Sequence, residues 1–206
     1  METTILYLVI LIFSVVIHEV SHGLVAEKFG DPTAKWAGRL TLNPLPHIDL
    51  FSSILLPAFL IFAGSPIIFG AAKPVPVNYA NLRHPKRDMA LVALAGPCSN
   101  FLLALLCAVP IRLGILPTGS LGEQFLVQAV LVNLVLGIFN LIPIPPLDGS
   151  KVLAAVISER FLPLLFSWER YGFLIIIVFL YAGVLDWLLV PLLKFSFNLL
   201  IGSSLF

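Results

Sequence analysis

Residues 5–22 read ILYLVILIFSVVIHEVSH, an apolar run that ends in His18-Glu19-Val20-Ser21-His22. Between positions 5 and 17 the only polar side chains are Tyr7 and Ser14. A helix needs about 20 apolar residues to cross the hydrocarbon of a bilayer, and this run comes close to that length. Ionisable side chains at its inner end are costly in lipid unless something pairs with them or uses them. The fold therefore turns on what compensates His18, Glu19 and His22.

Outward from this segment, near 4–26, the chain repeats the same texture at 50–72, 89–116, 121–142 and 171–193. With 59% hydrophobic and 11% charged residues and a mean hydropathy of +1.04, it lacks the balance of a soluble domain. The pattern predicts an all-α polytopic membrane protein of about four to six transmembrane helices, with short membrane-associated strands, folded as a single domain over 1–206. A net charge of +1 offers no basic face for nucleic acid. Cys98 and Cys107 read as small buried apolar side chains rather than a disulfide. The first segment lacks a basic leader and a small-x-small cleavage site, so it reads as a retained anchor.

Lys28, Lys35 and Arg39 follow the first span, and Lys73, Arg83, Lys86 and Arg87 precede the 89–116 span. The positive-inside rule puts both clusters in the cytoplasm and the N-terminus outside. One crossing by 50–72 would separate the clusters. Either that segment dips in and returns, with Pro57 and the 63–66 run making the turn, or it is an ordinary span. Asp186 reads as a boundary residue of the last span.

On a helix, positions i and i+4 share a face, so His18 and His22 can reach one zinc ion. Glu19 sits beside the first ligand, where a carboxylate can act as general base toward a water without itself coordinating. A hydrolytic zinc needs a third protein ligand and an open position. Asp148 is the candidate, in Asn140-Leu-Ile-Pro-Ile-Pro-Pro-Leu-Asp148-Gly149, where prolines forbid regular helix and the irregular backbone has to line a protected cavity. Taken alone, Asp-Gly after prolines is a turn signal.

These motifs, with Ala95-Gly-Pro-Cys-Ser-Asn100 opening a later span, resemble the site-2 protease family. The segments 39–49 and 72–78 resemble its small prokaryotic branch without a PDZ domain. The resemblance implies a zinc enzyme of the cell membrane that cleaves membrane-protein substrates in or near their transmembrane segments. It also implies His18, His22 and Asp148 as ligands, Glu19 as base and Asn140 as a polar contact to the substrate carbonyl or oxyanion. Asn140 can equally cap a broken helix end. His47 either approaches the attacking water or substrate, or packs as a loop residue. Gly96 and Asn100 suit close helix packing and an interhelical hydrogen bond.

The mechanism expected from these residues admits water from the cytoplasmic side, and Lys73-Pro-Val-Pro-Val-Asn78 reads as an extended strand that could receive an unwound substrate. Two other classes remain open at this level: a membrane metal transporter, which would need a polar path on both sides of the site, and a catalytically silent scaffold that binds membrane helices.

Overall fold

The computed structural model describes residues 2–64 and 70–202. Among the described residues, four helices are long and apolar enough to cross a bilayer: α1 (Glu2–Lys28), α4 (Pro85–Arg112), α5 (Leu121–Asn140) and α9 (Val184–Ile201). Between them lie shorter helices, α2 (Thr33–Trp36), α3 (Leu56–Phe62), α6 (Asp148–Val156), α7 (Leu162–Ser167) and α8 (Glu169–Tyr181). The last two form a pair bent by 66°, which counts as a fifth span if taken as one broken element. The protein is thus an all-helical, multi-pass membrane protein.

Small residues let α4 sit at the centre. Ala104 and Ala108 on α4 meet Val130 and Leu134 on α5 and Phe197 on α9, all buried. Met89 and Val92 on α4 meet Ala26 on α1 and Ala154 on α6. Large side chains on the outer faces, such as Leu102, Leu105, Leu106 and Leu199, stay exposed, as a lipid-facing surface requires. Cys98 belongs to that exposed surface, because it projects from α4 opposite the buried Gly96–Asn100 side, so the expectation that it is buried does not hold.

Both basic clusters lie at one end of the bundle. Gly30, at φ +110°, turns the chain out of α1. Asp31 then accepts hydrogen bonds from Asn78 N (2.7 Å) and Asn81 Nδ2 (2.9 Å), while Arg83 N donates to Phe29 O (3.1 Å) and Arg39 Nη2 to Lys73 O (2.7 Å). The 50–72 segment therefore returns to where it started. Asp49 caps a π-helical stretch, Leu50–Leu55, that runs into α3; together they are too short to span. Ala71 N donates to Ser52 O at 3.0 Å and closes the loop. Residues 65–69, which include the second half of the expected 63–66 turn, lie outside the described ones.

Two expectations need correction. No strand occurs among the described residues. The stretch 73–78 is extended but unladdered, because Pro74 and Pro76 lack donors and Val75 N is committed to a side chain. Nor is 171–193 one span: Gly183, at φ +71°, ends α8 and starts α9, with the exposed Asp186 in its first turn, where an anion suits the helix dipole.

Candidate metal centre

Three side chains from two helices converge on one point. His18 and His22 project from the same face of α1, two turns from its end at Lys28. Asp148 is the first residue of α6 and follows the proline segment that breaks the chain after Asn140. All three side chains are buried, and one ligand atom from each forms a near-equilateral triangle: Nε2 of His18 and of His22 each lie 3.1 Å from Asp148 Oδ2 and 3.1 Å from each other. Ligand atoms about 2.0–2.2 Å from a tetrahedral zinc ion are separated by roughly this much.

Protonation follows from the partners behind the rings. Asn133 Nδ2 donates to the Ala129 carbonyl (2.9 Å), which can only accept, so Asn133 Oδ1 faces Asn100 and takes its Nδ2–H (2.9 Å). Asn100 must then present Oδ1 to His18, and His18 Nδ1–H donates to it at 2.6 Å. His22 Nδ1–H donates to the Val92 carbonyl at 2.7 Å. With both Nδ1 atoms donating outward, the rings turn Nε2 toward each other and toward a carboxylate oxygen, and in the neutral tautomer that coordination needs each of those atoms presents a lone pair. Three acceptors meeting in a buried pocket with no donor among them call for a cation, and the outer partners set the ring tautomers that coordination needs.

Gly96 on α4 closes this cradle. A Cβ there would lie 2.4 Å from His22 Nε2 and 2.5 Å from His18 Nε2, inside the space on which the lone pairs converge. Gly149 allows an equally close approach on the other side, where a Cβ would meet Leu141 O at 2.2 Å. The residues thus fit a zinc ion in number, chemistry and room.

The centre opens into a cavity of about 140 Å³ lined by Glu19, Val75, Tyr79, Asn140 and Lys151 together with the three converging residues. Glu19 Oε2 accepts the Val75 N–H at 2.7 Å, which holds the carboxylate at the cavity wall without placing it in the triangle. Asn140 ends α5 and donates through Nδ2 to Leu136 O (3.0 Å), so it serves its helix and faces the cavity at once. Burial pushes the Tyr79 phenol up from its ordinary pKa, so it stays protonated at neutral pH.

His47 is not part of this centre. Its ring is buried against Thr41, with Nε2–H donating to that carbonyl at 3.0 Å, and it does not line the cavity. Its contribution is through the backbone: Lys73 N donates to His47 O (2.9 Å) and so fixes the segment that brings Val75 to Glu19. Sequence reasoning missed Lys151, whose Nζ lies 3.4 Å from Asp148 Oδ1. The signal was its i+3 spacing from Asp148 on one helix. It also missed Ser14 and Asn133, whose partners are set only by helix packing; Asn133 Nδ2 donates to Ser14 Oγ at 2.9 Å.

Two imidazoles and a carboxylate around an open position, with a second carboxylate held just outside, define a metal-dependent hydrolase class. The model of Peptidase family M50 matches residues 6–116 and 117–183. The chain is 40% identical over 198 residues to a protein of Bacillus subtilis, YwhC, with 91% of this chain and 86% of that one covered. It is 32% identical to Rip2 of Mycolicibacterium smegmatis, covering 85% of this chain and 66% of the relative. Both relatives carry the name "putative zinc metalloprotease". A zinc metalloprotease of Methanocaldococcus jannaschii, MJ0392, is 26% identical over 74% of this chain and 34% of its own length. No solved structure matches. The chain belongs to peptidase family M50.

Proposed function

We propose that this single-domain metalloprotease is a zinc enzyme that hydrolyses peptide bonds of membrane proteins within the bilayer, with His18, His22 and Asp148 as the ligands. The observation that carries the reading is the convergence of three buried side-chain atoms, 3.1 Å apart, two from α1, which is long and apolar enough to cross a membrane, and one from the start of the short helix α6. At about 1.5 Å per residue, His18 lies roughly 15 Å below the Lys28 end of α1, at hydrocarbon depth. The basic clusters at that end support a cytoplasmic orientation by the positive-inside rule.

When bound, zinc supplies Lewis acidity and a water acidic enough to lose a proton near neutral pH. Glu19, held by the Val75 N–H, takes that proton and delivers it to the leaving amine. The Lys151 ammonium and the second N–H of the Asn140 amide face the same cavity and are available to the negative charge that develops on the carbonyl oxygen. The scissile stretch has to be extended to expose its carbonyl. The unladdered segment 73–78 runs along the cavity, where an extended substrate can lie beside Val75 and Val77.

A transporter would need a polar path on both sides of the centre, whereas α1 between Ile5 and His18 carries only Tyr7 and Ser14 as polar groups, and Ser14 is tied to Asn133. The test is cleavage of co-reconstituted single-pass membrane proteins, with product ends mapped by mass spectrometry. Ends inside transmembrane segments, lost in Glu19→Gln while zinc stays bound, are expected. Cleavage at parental rate in Glu19→Gln, or ends confined to soluble regions, would contradict the reading.

A further inference from the structure

A second depression lies on the lipid side of the bundle, a groove of about 110 Å³ between α1 and α5 lined by Tyr7, Leu11, Gln128, Leu131, Val135 and Leu136. Its position relative to the metal centre follows from helix geometry. At about 100° per residue, Tyr7, Leu11, His18 and His22 fall within a sector of about 60° on α1. On α5, Leu136 is one turn from Asn140 and its carbonyl accepts the Asn140 amide. Groove and cavity therefore follow one another along the same pair of helices.

Gln128 is the anomaly in this groove. It lies about 18 Å from Asn140 along α5, well inside the apolar span, and its side-chain amide makes no hydrogen bond among the described residues, although it lines a surface that is apolar apart from it and Tyr7. Hydrocarbon cannot satisfy an amide, so acyl chains are poor occupants there. A transmembrane helix with a polar side chain at the same depth satisfies it, since interhelical amide bonds are a recurrent means of association in lipid.

We propose that the groove seats the still-helical part of the substrate's transmembrane segment, with Gln128 hydrogen-bonded to a polar side chain on it. The bond to be cut then lies at the cavity, about 18 Å away, or about twelve helical residues. This inference rests on the intramembrane protease reading above. It makes Gln128 a specificity determinant: among apolar helices, those with an Asn, Gln, Ser or Thr at that distance bind best.

The test uses the zinc-loaded full chain in phosphatidylcholine vesicles. The probes are fluorescent Leu-based transmembrane peptides of about 22 residues, one all-Leu and the others carrying a single Asn at successive depths. One depth binds about tenfold tighter than all-Leu, the size expected of one interhelical amide bond. Gln128→Leu removes that preference, and Val135→Phe, which fills the groove, weakens every peptide while zinc content is retained. A photoreactive side chain at Val135 captures the peptide. Equal binding at all depths, or a preference that survives Gln128→Leu, overturns the proposal. Capture of a second copy of the chain in place of peptide does so too. Depth-dependent binding with no cleavage of any membrane protein would leave the groove standing and sink the protease; cleavage without depth preference would do the reverse.

Discussion

Replacing Gly96 with alanine adds one methyl group directly against the two imidazoles, where there is no room for it. The added carbon would lie 2.4 and 2.5 Å from the two Nε2 atoms and 2.6 Å from His18 Cε1, whereas ordinary van der Waals contact begins near 3.4 Å. Either α4 retreats from α1 or the imidazoles rotate away, by about 1 Å in both cases. The rings are not free to rotate, since Asn100 and the Val92 carbonyl hold their Nδ1 atoms. Misplacing ligands or their outer partners by this amount costs metal affinity by about 10²-fold or more. Helix propensity acts the other way, favouring Ala over Gly by about 1 kcal/mol, so loss of metal need not come with loss of folding. The assay is zinc content of purified protein by mass spectrometry beside its thermal melt with chelator present. Gly96→Ala is expected to lose zinc and keep a melt close to that of the metal-free parent. Gly137→Ala is the control: there the new carbon would press on the Phe101 ring at 2.9–3.3 Å and on no ligand atom, so stability falls and zinc stays. Parental zinc content in Gly96→Ala would refute the argument.

Asn133→Leu removes the group that orients Asn100, and zinc affinity measured by chelator competition falls about 10–100-fold although no ligand is touched. Glu19→Gln keeps zinc and loses about 10²–10⁴-fold in cleavage rate, read on any substrate the parent cuts. Asp31 has its pKa lowered. Burial alone would raise it, but hydrogen bonds from Thr33, Asn81 and Asn78 outweigh that. The stabilisation from Asp31 is thus present above its unfolded value of about 3.9 and is lost as pH falls below that toward the folded value. Asp31→Asn lowers the melting temperature near neutral pH and flattens the acid limb of the stability profile, as followed by circular dichroism.

Local signals carried much of this. A helix of period 3.6 puts His18 and His22 on one face whatever surrounds it, and the prolines between 143 and 146 forced the break that delivers Asp148. The return of 50–72 was half legible, since the two basic clusters pointed to one side and only the hydrogen bonds between them closed the question. Composition alone could not tell a strand from an extended segment at 73–78, because the difference lies in whether a partner strand exists. The place of His47 was open for a similar reason: its neighbours are set by how residues 39–49 meet 71–75. The network of Ser14, Asn100 and Asn133 joins positions 86 and 119 apart, a distance over which one sequence gives no pairing information.

The account depends most on a metal ion shared between α1 and the first residue of α6. X-ray absorption at the zinc edge of the purified full chain tests it directly. The result predicted is one zinc per chain with two imidazole nitrogens and a carboxylate oxygen at about 2.0–2.2 Å, and no such spectrum from Asp148→Ala. Protein that binds no zinc, or an unchanged spectrum from that variant, would contradict it.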